Sequence, residues 1–124
     1  EFWNNSTEFI TSKNERVRSK SELIIAECLI KNNILFHYEY PIKINNAVFY
    51  PDFCCYNINK RKPIFWEHFG MMDNLEYLNK AIEKIKFYQE NNFQIGTDVV
   101  FTMESSSVPI SSKQIEKVIK QYFA

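Results

Sequence analysis

The stretch that most constrains this 124-residue sequence is "YPDFCCYNINKRKPIFWEHFG", residues 50 to 70, in which two apolar and aromatic runs flank a polar, basic turn. Runs of this composition bounded by turn residues read as two strands of a hairpin closed by "NINKRK". Each run carries an acid, Asp52 in the first and Glu67 in the second. If the chain turns about Asn59 and Lys60, the two acids come opposite one another, where cross-strand Cβ atoms are about 4.5 to 5.5 Å apart. Like charges at that spacing raise one pKa or call for a cation, and a hard divalent ion with oxygen ligands is the usual solution. The competing reading has one acid facing solvent and the other paired with Lys60, Arg61 or Lys62. A register shift of one residue would also send a side chain to the other face.

The remaining elements follow from periodicity. "SKSELIIAECLIKNN" predicts a helix over about residues 20 to 32, with Leu23, Ile24, Ala26, Cys28 and Ile30 on one broad face and Asn32-Asn33 as its stop. "ILFHYEYPIKI" predicts a strand over about residues 35 to 44, near a sheet edge or ending at its proline, Pro41. "DNLEYLNKAIEKIKFYQENN" predicts a helix with Leu75, Leu78, Ile82 and Ile85 as its apolar face, Asp73 or Asn74 as N-cap and Asn91-Asn92 as exit. "TDVVFTME" reads as a short strand, and "SSKQIEKVIKQYF" as an amphipathic helix opened by Ser111 or Ser112. The order is helix, three strands, helix, strand, helix, a mixed α/β (α+β) domain whose three successive strands form an antiparallel meander. Residues 1 to 15 read as an irregular N-terminal extension, anchored by Phe2, Trp3, Phe9 and Ile10, and residues 16 to 124 as the domain.

An apolar fraction of 45% with 16% aromatics is that of a packed core, and no apolar run approaches the roughly 20 residues of a membrane span. Fifteen basic against fifteen acidic residues give no net charge, yet a basic face can coexist with an acidic pocket. The odd count of three cysteines, Cys28, Cys54 and Cys55, with no CxxC, points to reduced core thiols and a cytoplasmic chain. A zinc site from Cys54, Cys55 and His68 lacks ligand spacing. A start at "EFWNN" without Met suggests a piece of a longer chain, whose other domains would be its partners.

A third acid enters at "RSKSEL", where Ser19 and Glu22 stand in the spacing of a capping box, itself a full structural explanation of Glu22. The order of Glu22 on the first helix, Pro51-Asp52 on the second strand and Glu67 on the third resembles the PD-(D/E)XK phosphodiesterase superfamily. The likeness covers about Arg16 to Glu104, and "YPDF" followed by "WEHFG" is also similar to little-characterised bacterial nuclease-like domains. It implies the restriction-endonuclease-like αβββαβ core, a mixed central sheet flanked by helices. It further implies that Asp52, Glu67 and the backbone carbonyl of His68 hold Mg²⁺ or Mn²⁺ with Glu22 in support, for hydrolysis of phosphodiester bonds in DNA.

The family pattern places a lysine two residues after the third-strand acid, a position held here by Phe69. Tyr77, Lys80, Ala81, Lys84 and Tyr88 share one stripe of the following helix, and Lys84-x-x-x-Tyr88 is similar to the helix motif of RecB-like exonucleases, whose first position is usually Gln. Lys84, then Lys80, are the candidates to supply the cation, against the plain reading that these lysines solvate a helix face. Arg16, Arg18 and Lys20, and in the turn Lys60 and Arg61, are candidate phosphate contacts with Tyr88 beside them; such contacts carry affinity rather than sequence choice. His68 reads as a core or supporting histidine and His37 as structural, while Glu39 points either toward the site or outward. The rival function is a catalytically inactive module that binds nucleic acid or a partner protein.

Overall fold

The computed structural model describes residues 8 to 57 and 59 to 123; the expected anchors Phe2 and Trp3 lie outside them. Where the chain turns, asparagine does most of the work. Helix α1 (Lys20–Lys31) ends with Asn33 in the left-handed region, φ 59°, while its N–H bonds the Ile30 carbonyl and the Ile34 N–H bonds that of Leu29. Helix α2 (Leu75–Glu90) ends identically, with Asn92 at φ 65° and bonds from Asn92 to Gln89 and from Phe93 to Tyr88. Both are Schellman closures, in which Asn replaces the more common Gly at C′. Helix α3 (Ser112–Phe123) completes the helices among the described residues, with Ser111 Oγ accepting the Gln114 N–H.

The strands divide into one main sheet and two small ribbons. β1 (Phe9–Ile10) pairs with β2 (Arg16–Val17), so part of the expected extension is paired into the body of the domain. β3 (Leu35–Tyr38), β6 (Phe53–Asn57), β7 (Lys62–Phe69) and β8 (Val99–Met103) form the main sheet in the order β3-β6-β7-β8. The first three are antiparallel, as the meander predicts, and β8 joins parallel to β7 through the α2 crossover. The result is a mixed α+β fold around a central mixed sheet.

The strand predicted over residues 35 to 44 is broken. It stops after Tyr38, and β4 (Ile42–Ile44) instead pairs with β5 (Ala47–Phe49) across Asn45 and Asn46, at φ 50° and 70°. Positive φ at both central residues is the twist that a two-residue hairpin requires, and Asn adopts it at low cost. This ribbon lies over one face of the sheet, where Ile42 and Phe49 pack against Cys54, Phe65, Tyr88 and Val99. On the other face Phe53, Cys55, Ile64 and Trp66 meet Ile25 and Leu29 of α1 and Ile115, Ile119 and Phe123 of α3. With both faces covered, β7 is buried continuously from Ile64 to Phe69, and its side chains alternate: Glu67 toward α2, His68 toward α1 and α3.

Helix α2 buries only part of the face expected from its apolar residues, Leu78 and Ile85 being half-buried. Leu75 and Ile82 are exposed at 72% and 46%, whereas Ala81 and Tyr88 are buried. The stripe of Tyr77, Ala81, Lys84 and Tyr88 turns inward because polar partners await it on the sheet. No helix among the described residues is long and apolar enough to cross a membrane.

Phe53 is fully buried, ringed by Phe36, Tyr38 and Trp66 with centroids at 5.6, 5.5 and 6.4 Å. Phe53→Ala is expected to cost about 3 to 5 kcal/mol in urea unfolding. A loss below about 1 kcal/mol would mean that this core is not packed as described.

Candidate active site

The hairpin register carries the two acids together. Phe53 pairs with Trp66, so the next position outward sets Asp52 opposite Glu67. The Asp52 N–H donates to Glu67 Oε1 at 3.3 Å, and Asp52 Oδ2 accepts the His68 N–H at 2.7 Å. In a strand the N–H and C=O of one residue point to the same side, so the His68 carbonyl faces the edge on which Asp52 lies.

Glu67 is fully buried. Its Oε1 meets Lys84 Nζ at 2.7 Å, and its Oε2 accepts the Tyr88 hydroxyl. The two partners sit one helical turn apart on α2, which explains the inward stripe. Burial, aided by the neighbouring Asp52 charge, pushes the Glu67 carboxyl up to about 7 against the pull of Lys84 and Tyr88. Burial alone would lower the Lys84 ammonium, but Glu67 and Asp52 more than offset it and hold that group above its ordinary value. Phe69, in the slot where the family pattern has lysine, is 4% exposed and packs on Phe101 at 5.6 Å. The cation that meets Glu67 is Lys84 of α2, not a residue of β7.

Glu22 makes half of the expected capping box. Its N–H donates to Ser19 Oγ at 3.1 Å, but its carboxylate accepts from the Arg18 N–H at 3.2 Å and from the Tyr38 hydroxyl at 2.7 Å. That side chain is turned into the protein, 8% exposed, and burial with the charge of Asp52 raises its pKa to about 7. Capping thus accounts for the Glu22 backbone and not for its carboxylate.

Glu39 is the residue that sequence reasoning left open, and the structure brings it in. It follows the last β3 residue with φ 51°, and its N–H bonds the Asp52 carbonyl at 3.0 Å. Among the described residues, Glu22, Glu39 and Asp52 each offer an oxygen within 4.8 Å of the others. Arg18 Nε holds both Glu39 oxygens, at 3.0 and 2.8 Å. Glu39 was signalled only by its place two residues before Pro41 at the end of a strand paired with the Asp52 strand.

These groups border a cleft of about 210 Å³ with walls from Glu22, Asp52, Phe69, Tyr77, Lys80 and Lys84. Lys80 is exposed at its rim, and the Tyr77 hydroxyl accepts the Gly70 N–H at 2.8 Å. The other expected contacts are scattered. Lys20 is exposed at the start of α1, and Arg16 pairs with Glu8 at 2.8 Å. Lys60 and Arg61 sit at the turn, five β6 residues from Asp52 and so roughly 17 Å away along the strand. Tyr88, expected at a nucleic-acid surface, is fully buried and hydrogen-bonded to Glu67, which removes it from any such surface. His37 stacks on Tyr40 at 4.9 Å, a structural role, and all three cysteines are buried and free.

No family model and no solved structure matches this chain. It is similar to an uncharacterized protein of Methanocaldococcus jannaschii, 30% identical over an alignment of 124 positions that takes in 90% of this chain and 10% of the relative. The chain therefore spans about a tenth of that protein's length.

The raised carboxyls set a pH dependence. A group whose pKa rises from 4.5 to about 7 on folding binds more protons in the folded state between those values. Stability therefore falls as pH rises through that window, with a slope of about 1.4 kcal/mol per pH unit for each such buried carboxyl. The metal-free protein is expected to melt at a lower temperature at pH 8 than at pH 5, and Glu22→Gln to shrink the difference. A melting temperature that climbs from pH 5 to 8 would contradict the geometry.

Proposed function

We propose that this chain is a divalent-metal-dependent nuclease domain of the PD-(D/E)XK type, with a restriction-endonuclease-like core, hydrolysing phosphodiester bonds in DNA. The observation that carries the reading is the convergence of Glu22, Asp52 and the Glu67–Lys84 ion pair on one cleft. A hydrolase of this type needs acidic oxygens and a cation at one point, and the hairpin, α1 and α2 each bring one part.

The donor set suits Mg²⁺ or Mn²⁺. Three carboxylate oxygens within 4.8 Å of one another are hard ligands, and no sulfur or imidazole nitrogen is among them. Asp52, Glu22 and Glu39 would hold the ion, with the His68 carbonyl on the same edge. When bound, the ion would supply Lewis acidity and charge neutralisation at the phosphoryl group. Glu67, expected as a direct ligand, is fully buried behind the cleft and outside the triad of oxygens, with its own oxygens engaged by Lys84, Tyr88 and the Asp52 N–H, and so would serve to hold Lys84 at the cleft. Lys84 presents its ammonium where negative charge gathers on the phosphoryl oxygens. Arg18 neutralises Glu39, and Lys80, exposed at the rim of the cleft, is placed to take up a flanking phosphate. Because binding requires carboxylates, affinity is expected to rise with pH from 6 to 8 as Glu22 gives up its proton.

Linear and circular DNA incubated with the protein and Mn²⁺ provide the test. Cleavage is expected to fall by about 10² or more in Asp52→Asn and Lys84→Ala. Cleavage that survives both substitutions would overturn the site. Salt-dependent DNA binding without cleavage in the native protein would favour an inactive binding module instead, the reading that Phe69 in the lysine slot supports.

A further inference from the structure

On the sheet face opposite Glu67 lies a polar cluster that the nuclease reading does not use. His68 is buried, with Nδ1 2.8 Å from Thr102 Oγ1 and Nε2 2.6 Å from Glu104 Oε2. Trp66 Nε1 donates to the same Thr102 hydroxyl at 2.9 Å. The Ser21 hydroxyl donates to Glu104 Oε2, and Glu104 Oε1 accepts the Ile110 N–H at 3.0 Å. One proton arrangement leaves no group idle. The indole can only donate, so Thr102 accepts from it and gives its own proton to Nδ1, and Nε2–H donates to Glu104.

The cluster joins the parts that carry the acids. Ser21 precedes Glu22 in the first turn of α1, and His68 follows Glu67 on β7 and gives its N–H to Asp52 Oδ2. Glu104, one residue past β8, touches both and also holds the Ile110 N–H ahead of α3. Its carboxyl, raised by burial, is brought below its usual value by the bonds from Ser21, Ile110 and His68. Nothing else among the described hydrogen bonds ties the start of α1 to the end of β7.

We infer that Glu104 is a positioning residue for the carboxylate site: through Ser21 it fixes the helix start that carries Glu22, and through His68 it fixes the N–H that orients Asp52. The inference rests on the metal-binding reading for its consequence, though the strut itself does not. Partners that orient ligands without touching the ion are commonly worth about 10- to 100-fold in metal affinity. Residues of one network do not add independently.

Calorimetric titration of the chain with Mn²⁺ tests this. Glu104→Ala is expected to weaken binding on the order of 10-fold. Glu104→Gln, which keeps an acceptor oxygen for Ser21 and His68, should retain affinity within about threefold, a rescue that a simple loss of stability would not give. The Ser21→Ala/Glu104→Ala double variant should bind no more weakly than Glu104→Ala alone. Native affinity in Glu104→Ala, or losses that multiply in the double variant, would overturn the inference. If Glu104→Ala does not fold, Ser21→Ala removes the tie to α1 without touching a charge, and unchanged affinity there would overturn it equally. If the native protein binds no Mn²⁺, the metal reading fails, and the amide spectrum of the metal-free protein decides the strut. The His68 and Glu22 amide resonances should move in Ser21→Ala, and resonances that stay in place would refute it.

Discussion

The ion pair between Lys84 and the fully buried Glu67 is the constraint on which the arrangement depends. An isolated carboxylate in that position would cost several kcal/mol, and the protein meets the cost with an ammonium, a tyrosine hydroxyl and a backbone N–H on one group. That requirement turns α2 about its axis. It buries Tyr88 and half-buries Lys84 at the expense of Leu75 and Ile82, which a helix governed by hydrophobic burial alone would have turned inward. A buried pair of this kind contributes little net stability against an apolar alternative of the same shape. Beside it lies a cleft with two further raised carboxyls, Glu22 and Asp52, and it is this grouping that the proposed function rests on.

Much of the fold was legible in the sequence, and particular residues show why. The two Asn-Asn pairs ended their helices within a residue of expectation, because the left-handed closure is a local requirement that few residues meet. The hairpin register followed from the position of the turn, and with it the juxtaposition of Asp52 and Glu67. An end of the first strand near Pro41 was one of the two readings, but the ribbon of β4 and β5 beyond it was missed. Asn45 and Asn46 look like any polar pair until the strand after them is known to return on the strand before. The face of α2 was legible in part: the stripe that carries Lys84 was visible, but periodicity reports where apolar residues lie, and it did not show that Leu75 and Ile82 would be left exposed.

The site divides in the same way. Asp52, Glu67 and Lys84 stand at spacings that place them together, and Glu22 was visible both as a cap and as an acid. Glu39 was left open between the site and solvent, since its carboxylate enters the cluster through a single left-handed residue that breaks the strand alternation. Glu104 was hidden more deeply, because it acts across 83 residues on Ser21 and 36 on His68. Tyr88 illustrates the reverse error, where a motif likeness suggested a surface role for a ring that the sheet buries.

Diffraction from crystals soaked in Mn²⁺, read at the manganese absorption edge, tests the central claim most directly. A single anomalous peak at about 2.0 to 2.2 Å from oxygens of Asp52 and Glu22, with Glu39 or the His68 carbonyl completing the set, is the predicted result. A cleft that stays empty at millimolar Mn²⁺ while Lys84 remains on Glu67, or a peak away from Asp52, would contradict it.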